Sequence, residues 1–306
     1  MLKVLVTGGA GFIGSHTVDV LVENGFNVLA IDNLCTGKKK NINPKASFVN
    51  LDVNNKEVEQ IFSKFQPDIL IHLAAQVKVS QSISDPYKDA MDNIMGTIRL
   101  LSYCDKYSVK KVIFASSAAV YGENNQLPLN ESSIISPVSF YGVSKFTCEA
   151  YIRLFNHYKN IQYTILRYSN VYGPRQTADA EGGVVSTFLN HIIENKPLVI
   201  YGDGEQTRDF IYVKDLAKAN MAAITKGNNE IINISTESST SINQLFSMCK
   251  DILKSNIIPK YESARAGDIP HSLLENRKAR DLLSWKPSYT LVEGLTETVH
   301  SLNKIK

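Results

Sequence analysis

Short, continuously apolar runs alternate with helix-spaced apolar positions through the first half of the chain. These runs predict buried strands at residues 2–6, 26–31, 46–51, 68–72, 111–115 and 161–166. Between them, apolar residues recur every three or four positions, as on one face of a helix. Strands without polar alternation are typical of a parallel sheet that helices cover on both faces. The pattern therefore predicts an α/β fold with a doubly wound parallel sheet.

Beyond residue 170 the pattern becomes less regular. Short strands are predicted at residues 198–201, 210–213 and 231–234. Two later helices are predicted from capping boxes, a hydroxyl residue followed three positions later by Gln or Glu. These boxes are Ser241 with Gln244 and Thr290 with Glu293. This part of the chain predicts a smaller mixed α/β domain.

Two helices in the first half have clearer boundaries. Asp85 and Pro86 predict the N-cap and first position of a helix that continues to about residue 106. A second long helix is predicted over residues 139–157. We divide the chain into domains 1–170 and 171–306, with some chain exchange between them and a cleft where they meet.

Composition narrows the class of protein. The 306 residues are 43% hydrophobic and 21% charged, which is typical of a globular chain and excludes disordered and fibrous classes. A formal net charge of +3 does not favour a nucleic-acid partner. No apolar run approaches the ~18 residues that a membrane span needs. The N-terminal run is too short for a signal peptide, so we expect a cytoplasmic protein.

The cysteines and histidines do not form a metal motif. The four cysteines lie far apart in sequence, without a C-x-x-C pair, and the six histidines form no H-E-x-x-H. We therefore expect neither a metal site nor a disulfide framework.

Spaced glycines join the first predicted strand to the first helix. Gly8 permits a tight turn, Gly11 allows close approach of a pyrophosphate, and Gly14 allows the helix to pack closely on the strand. The free N–H groups of the helix then face the phosphates. Asp32 ends the second strand, where a carboxylate accepts hydrogen bonds from the adenosine ribose and repels a 2′-phosphate. The arrangement predicts a Rossmann-type site for NAD rather than NADP.

Further strand ends extend this predicted site. Asp52 and Val53 are expected near adenine, and the small residues after His72 leave room for the dinucleotide. His72 itself is interpreted as a core histidine. The predicted cofactor-binding residues of the turn and strand ends are Gly8, Gly11, Phe12, Ile13, Gly14, Asp32, Asn33, Asp52, Val53, Leu73, Ala74 and Ala75.

A Y-x-x-x-K pair supplies candidate chemistry. Tyr141 and Lys145 lie one turn apart on a predicted helix and therefore share a face. An ammonium beside a phenol, together with the positive nicotinamide ring, lowers the pKa of the phenol toward neutrality and makes it a general base. Ser117 follows the fifth strand, where its hydroxyl can bond the same substrate hydroxyl.

The ordered motifs T-G-G-A-G-F-I-G, H-L-A-A, S-S-A-A-V-Y-G, Y-G-V-S-K and R-Y-S-N-V-Y-G-P resemble those of the extended short-chain dehydrogenase/reductase superfamily. The resemblance is to its nucleotide-sugar epimerase and dehydratase branch and covers nearly the whole chain. It implies that Ser117, Tyr141 and Lys145 are catalytic and that Lys145 also holds the nicotinamide ribose. It also implies bound NAD, a UDP-sugar substrate and a homodimer.

The same resemblance assigns further residues. Asn93 matches a structural asparagine, Lys78 a lysine near the cofactor phosphates, and Tyr168 a residue beside the nicotinamide. All three therefore join the predicted cofactor site. Arg208 and Arg265 are expected to clamp the diphosphate, with Asp268 on the uridine ribose and Tyr201 near uracil. The implied substrate-binding set is Lys78, Ser117, Tyr141, Asn170, Val184, Tyr201, Arg208, Arg265, Asp268 and Ser272.

The residues after Ser117 distinguish the reactions of the branch. Ala118 and Ala119 offer no titratable group for elimination or decarboxylation, which leaves 4-epimerisation through a transient 4-keto sugar. Ser272 stands at the family's gatekeeper position, and its small side chain makes N-acetylated hexoses plausible beside plain ones. A UDP-glucuronate 4-epimerase, with Arg175 as a possible carboxylate partner, and a non-catalytic NAD-binding sensor or scaffold stay open as alternatives.

Overall fold

A seven-stranded, wholly parallel sheet forms the centre of the protein. The computed structural model describes residues 1–177, 183–264 and 269–303. Its strand order is β11-β6-β5-β4-β1-β2-β3, which is the doubly wound arrangement. The strands are β1 (Lys3–Thr7), β2 (Asn27–Asp32), β3 (Ser47–Asn50), β4 (Ile69–His72), β5 (Lys111–Ser117), β6 (Gln162–Tyr168) and β11 (Glu230–Ile234). The predicted α/β fold class is confirmed.

Helices cover both faces of the sheet and also occur throughout the second half. In chain order they are α1 (Phe12–Glu23), α2 (Val58–Phe65), α3 (Val79–Ser84), α4 (Pro86–Ala90), α5 (Gly96–Lys106), α6 (Phe140–Lys159), α7 (Val184–Ile193), α8 (Val213–Ala222), α9 (Ile242–Ile252), α10 (Arg277–Leu283) and α11 (Leu291–Asn303). A π-helical turn, Met91–Met95, connects α4 to α5. The helix predicted to begin at Asp85 therefore continues to Lys106, with a π-turn that its sequence pattern did not indicate.

Short strand pairs complete the second half. They are β7 (Asn170–Tyr172) with β10 (Phe210–Tyr212), β8 (Val199–Tyr201) with β13 (Lys260–Glu262), and β9 (Thr207–Arg208) with β12 (Thr240–Ser241). The pairs β7–β10 and β8–β13 are parallel, and β9–β12 is antiparallel. The predicted capping boxes are present at Ser241 and Thr290. Four short strands, β7, β9, β12 and β13, have no counterpart in the sequence-based prediction, because two or three residues are too few to show a period.

Alternation along the central strands assigns each side chain to one of two cores. Val4 and Val6 pack with α1 and α8 on one face, whereas Leu5 packs with α2, α5 and α6 on the other. A third cluster joins α7, α9 and α11 in the second half. Strand β11 comes from that second half and pairs with β6 at the sheet edge. No helix in the described parts of the chain is both long and apolar enough to cross a membrane.

His72 lies inside the sheet and is neutral. Its Nδ1 accepts from the Thr7 hydroxyl at 2.7 Å, and its Nε2 bonds the Thr97 hydroxyl at 3.1 Å. Thr97 already donates to the carbonyl of Asn93, so the hydrogen is assigned to Nε2. Burial, with a smaller contribution from the charge of Lys145, lowers the pKa of His72 to about 3. The interpretation of His72 as a core histidine is confirmed.

We expect acid to destabilise the protein through His72. Between pH 6.5 and about 3 the unfolded chain binds a proton at this ring and the folded chain does not. Stability is therefore lost as the pH falls, by about 2 kcal/mol at pH 5. Denaturant unfolding of His72→Gln should show a flatter dependence on pH between 7 and 5. The control is His157→Gln at an exposed position of α6. Identical pH slopes in the His72→Gln variant and the wild type would contradict the assignment.

Candidate active site

The turn between β1 and α1 has no room for side chains. Gly8 has φ +70°, and a Cβ there would lie 2.8 Å from the backbone nitrogen of Ala74. A Cβ on Gly14 would lie 1.9 Å from the carbonyl oxygen of Gly8. Helix α1 begins after Gly11 without a side-chain cap, so its first residues, Phe12 and Ile13, present uncapped N–H groups. This cradle fits the pyrophosphate of a dinucleotide.

The second strand supplies a buried carboxylate beside the cradle. Asp32 is 7% exposed; its Oδ2 accepts from the N–H of Ala10 at 3.0 Å and its Oδ1 from the N–H of Leu34 at 2.7 Å. Further along this edge, Asp52 accepts from the side-chain amide of Asn33 at 2.6 Å. The structure therefore brings together Asp32, Asn33 and Asp52, which the sequence assigned to the adenosine end of NAD.

Hydrogen bonds to Thr7 and Asn93 fix the segment after β4. The Thr7 hydroxyl accepts the N–H groups of Leu73 and Ala74, both at 3.2 Å. Asn93 accepts the N–H of Gln76 at 2.9 Å and donates to its carbonyl at 3.0 Å. Its amide also bonds Asp89 and Ser144. These bonds use both the oxygen and the nitrogen of the Asn93 amide, which accordingly positions the segment after β4.

Lys78 and Val53 flank the same region. The side chain of Gln76 bonds both the N–H and the carbonyl of Lys78, which fixes the backbone of Lys78 at the start of α3. Val53 lies opposite Gly96, where a Cβ would be 3.6 Å from its methyl group. The predicted cofactor residues therefore lie along one edge, at the carboxyl ends of the strands.

Ser117, Tyr141 and Lys145 meet at the carboxyl end of β5. Ser139 caps α6 by accepting the N–H of Gly142 at 3.1 Å, which fixes the first turn that carries Tyr141. Lys145 is 4% exposed, donates to the carbonyl of Ala115 at 2.8 Å, and has its Nζ 5.8 Å from the Tyr141 ring centre. The Ser117 hydroxyl hydrogen-bonds Tyr141 and accepts the N–H of Ala119 at 3.1 Å.

The protonation of this group is set mainly by burial. Burial raises the pKa of Tyr141 to about 12, against an opposing hydrogen bond from Ser117. Burial also lowers the pKa of Lys145 to about 8. The chain by itself therefore moves the tyrosine away from neutrality, contrary to the effect expected of the neighbouring lysine. A phenolate at neutral pH requires further positive charge, of the kind that an oxidised nicotinamide ring carries.

Tyr168 ends β6 inside the same cleft. Its hydroxyl donates to Oδ1 of Asn220 on α8 at 2.6 Å, and Asn220 in turn donates to Thr17 on α1 at 3.0 Å. Burial raises the pKa of Tyr168, which keeps its hydroxyl neutral. Helix α8 therefore connects a residue predicted beside the nicotinamide to the helix that begins at the phosphate cradle.

The predicted substrate residues come from several short elements. Arg208 on β9 donates to the carbonyls of Thr207 at 2.8 Å and Pro270 at 3.3 Å. Ser272 donates its N–H to the carbonyl of Thr207 at 3.1 Å, so Ser272 and Arg208 are neighbours. Arg265 and Asp268 lie outside the described residues, and their predicted roles stay predictions.

Three other predicted substrate residues lie at element ends. Asn170 begins β7, Tyr201 ends β8 and Val184 begins α7.

Asp209, next to Arg208, was missed by the sequence analysis. Its carboxylate accepts N–H groups of Thr236 and Glu237 at 2.9 and 3.0 Å, and burial raises its pKa to about 6. The motif T-R-D-F contains Asp209, but its bonds to residues after β11 are visible only in the fold.

Comparison with known proteins assigns the family. The profile of the NAD dependent epimerase/dehydratase family matches residues 4–235. The chain belongs to this family. The resemblance to the nucleotide-sugar branch of the extended short-chain dehydrogenases/reductases is thereby confirmed, as are the expected enzyme class and NAD as the family's cofactor.

Individual members of the epimerase/dehydratase family match along almost the whole chain. A putative UDP-glucose 4-epimerase of Methanocaldococcus jannaschii is 47% identical over 298 residues, 97% of each protein. The crystal structure of a UDP-glucose 4-epimerase from Thermotoga maritima with UDP-glucose has a TM-score of 0.97 at 44% identity and covers 99% of both chains. A UDP-N-acetylglucosamine 4-epimerase from Methanobrevibacter ruminantium, with UDP-N-acetylmuramic acid, has a TM-score of 0.95 at 40% identity. It covers 100% of this chain and 99% of its own.

Gly14→Ala should damage the cofactor cradle of this epimerase/dehydratase family member. The new Cβ would collide with the carbonyl of Gly8, so we expect a loss of about 1–3 kcal/mol in stability and a lower content of co-purified NAD. Thermal unfolding and the NAD released on denaturation measure both effects. Gly96→Ala is the matched control, because its Cβ would meet nothing nearer than 3.5 Å. Full NAD content in Gly14→Ala would contradict the placement of the pyrophosphate.

Proposed function

We propose that this protein is an NAD-dependent 4-epimerase of UDP-hexoses. The single observation that carries the proposal is the group Ser117, Tyr141 and Lys145 beside Ala118 and Ala119. This group can move one proton at a sugar hydroxyl. The two alanines place no second acid or base next to it, which elimination or decarboxylation would need.

The chain's residues have separate tasks in the proposed reaction. Ser117 and Tyr141 hold the sugar 4-hydroxyl, and Tyr141 in its phenolate form takes the proton of that hydroxyl. Lys145 stays protonated beneath the phenol ring and orients the cofactor ribose. NAD held by the glycine turn, Asp32 and Lys145 would supply the acceptor for the C4 hydride and the donor that restores this hydride to the other face of the sugar. Arg208 retains the diphosphate while the 4-keto sugar rotates, after which Tyr141 returns the proton.

We infer that the substrates include both plain and N-acetylated hexoses: UDP-Glc/UDP-Gal and UDP-GlcNAc/UDP-GalNAc. The similarity to UDP-glucose and UDP-N-acetylglucosamine 4-epimerases supports this range. Ser272 lies beside Arg208, and a serine there leaves more space for a rotating sugar than an aromatic residue would. Residues 1–170 would hold the cofactor, and most of residues 171–306 the sugar nucleotide.

A UDP-glucuronate 4-epimerase is the second candidate. Its substrate carries a carboxylate that needs a partner, and Arg175 is the candidate from the sequence. In the structure Arg175 forms an ion pair with Asp19 of α1 at 2.8 Å. Its other terminal nitrogen, Nη1, is buried without a hydrogen-bond partner, so Arg175 retains one donor for a sugar carboxylate. The non-catalytic sensor is disfavoured because Ser117, Tyr141 and Lys145 are all present and in register.

We also propose that the protein is a cytoplasmic homodimer and acts in galactose metabolism. Helices α4 and α6, with the π-turn, present exposed apolar side chains that a second copy would cover. These are Tyr87, Met95, Phe140, Val143, Phe146, Tyr151, Leu154 and Tyr158. A C2 dimer is the commonest arrangement of a soluble oligomer. Light scattering that gives one 34.0-kDa chain per particle would contradict the dimer.

Substrate conversion by the purified protein tests the proposed reaction. Without added NAD, we expect UDP-Gal and UDP-GalNAc to convert to their C4 epimers, with products identified by NMR. Tyr141→Phe should lower kcat by about 100-fold or more, because the proton acceptor is lost, and should still retain NAD. Tyr158→Phe, at an exposed position of the same helix, is the control. Conversion of UDP-GalA alone would instead favour the uronate enzyme.

Ser272→Tyr tests the gatekeeper. The larger side chain should lower kcat/KM for UDP-GalNAc by about tenfold or more relative to UDP-Gal, because the N-acetyl group needs the space. Ser272→Ala should leave the ratio of the two kcat/KM values near that of the wild type. An unchanged ratio in Ser272→Tyr would remove residue 272 from the specificity argument.

A further inference from the structure

Three successive turns of α6 are attached to the end of β5. On the first turn, Tyr141 hydrogen-bonds Ser117; on the second, Lys145 donates to the carbonyl of Ala115. On the third turn, Oε1 of Glu149 accepts from the Ser116 hydroxyl at 2.5 Å. Residues 141, 145 and 149 are spaced by four and therefore form one stripe along the helix. The first two of these turns carry the catalytic residues Tyr141 and Lys145. The third turn, with Glu149, has no part in the reaction described so far.

Glu149, on the third turn, forms a buried ion pair that is part of a hydrogen-bond network. Arg167 of β6 donates from Nε to Oε1 of Glu149 at 2.9 Å and from a terminal nitrogen to Oε2 at 2.7 Å. The side chains of Glu149 and Arg167 are 2% and 3% exposed. The other terminal nitrogen donates to the Tyr121 hydroxyl at 3.0 Å, and Tyr121 donates to Asn233 of β11 at 2.7 Å.

Stability alone is a weak reason for such a pair. Two desolvated charges recover little more than the cost of their burial, and a well-packed apolar pair often serves as well. The positions of its members are more informative. Ser116 precedes Ser117, Glu149 lies one turn after Lys145, and Arg167 precedes Tyr168. The network therefore contacts each of the three elements, β5, α6 and β6, immediately beside a residue of the site.

We propose that Glu149, with Arg167 as its counter-charge, is a positioning residue of the epimerase reaction. Its bonds fix the end of β5 against α6 and against β6. They thereby fix the positions of the Ser117 hydroxyl, the Tyr141 hydroxyl and the Lys145 ammonium relative to one another. The inference rests on the proposed function, because the relative positions of these groups matter only if they act together on one sugar hydroxyl.

The charge of Glu149 has a second, measurable effect on Lys145. Burial lowers the pKa of Lys145, and the carboxylate charges of Asp89 and Glu149 oppose that shift. From β4, His72 faces Lys145 as a neutral ring, and Phe114 of β5 has its ring centre 4.9 Å from the ammonium. Removing the Glu149 charge should therefore lower the pKa of Lys145 further. Lys145 then loses its proton at a lower pH.

The experiment compares Glu149→Gln and Ser116→Ala with the apolar pair Glu149→Leu/Arg167→Met. In Glu149→Gln we expect kcat for UDP-Gal to fall about 10- to 100-fold with KM within twofold of wild type, as for misplaced groups. On the alkaline side of the pH profile, kcat of Glu149→Gln should begin to fall at a lower pH than kcat of the wild type. In Ser116→Ala, which keeps the ion pair, kcat should fall about 5-fold with little change in melting temperature. The apolar pair should recover the melting temperature lost in Glu149→Gln but not the kcat.

Arg153→Gln, on an exposed turn of α6 beyond Glu149, is the control and should match wild type. Recovery of both melting temperature and kcat in the apolar pair would overturn the proposal and leave a merely structural role. Unchanged kcat in Ser116→Ala would do the same if Glu149→Gln fails to fold.

A readout without substrate separates this inference from the proposed function. In protein labelled with ¹³Cε-lysine, the buried Lys145 signal is assigned by its loss in Lys145→Arg. Its pH titration should move to lower pH in Glu149→Gln. If wild type converts no UDP-sugar and the signal still moves, the proposed function fails but the electrostatic coupling stands. If wild type converts substrate and the signal does not move, the coupling fails.

Discussion

All strands of the central sheet run in one direction, and the rest of the structure depends on that constraint. Because their carboxyl ends share one edge, residues far apart in sequence converge there without any further device. The glycine turn after β1, Asp32 at the end of β2, Ser117 at the end of β5 and Tyr168 at the end of β6 lie along this edge. Helix α6 brings Tyr141 and Lys145 from outside the sheet, and its bonds to β5 set where these two residues lie.

The sequence predicts most clearly those features of the site that depend on neighbouring residues. The glycine spacing, the position of Asp32 and the Y-x-x-x-K pair each need only a few residues and a known local geometry. The sequence could not predict contacts across long separations, such as Glu149 with Arg167 or Asp209 with Thr236, because nothing in the spacing indicates which buried charges meet. Arg175 illustrates the same limit: its partner, Asp19, lies on a helix at the opposite end of the first domain's sequence.

The sequence also did not predict how burial shifts the pKa values in the site. A lysine one turn from a tyrosine suggests a lowered phenol pKa, yet in the fold burial raises the pKa of Tyr141. Sequence spacing contains no information on how much water a folded cleft excludes. The same desolvation acts on Lys145 in the opposite sense, so burial moves the pKa values of the two groups apart, to about 12 for Tyr141 and about 8 for Lys145.

Strand β11 has a consequence for how the protein is assembled. It is the seventh strand of the cofactor-binding sheet, yet it follows β10, α8 and the element that carries Arg208. Its Asn233 bonds Tyr121, and α8 on the way to it supplies the Asn220 that bonds Tyr168. A chain cut after β6 would leave that strand an open edge and α1 without its covering helix. The two halves are therefore one cooperative folding unit, and a new substrate half cannot be grafted onto this dinucleotide half at a single crossover point.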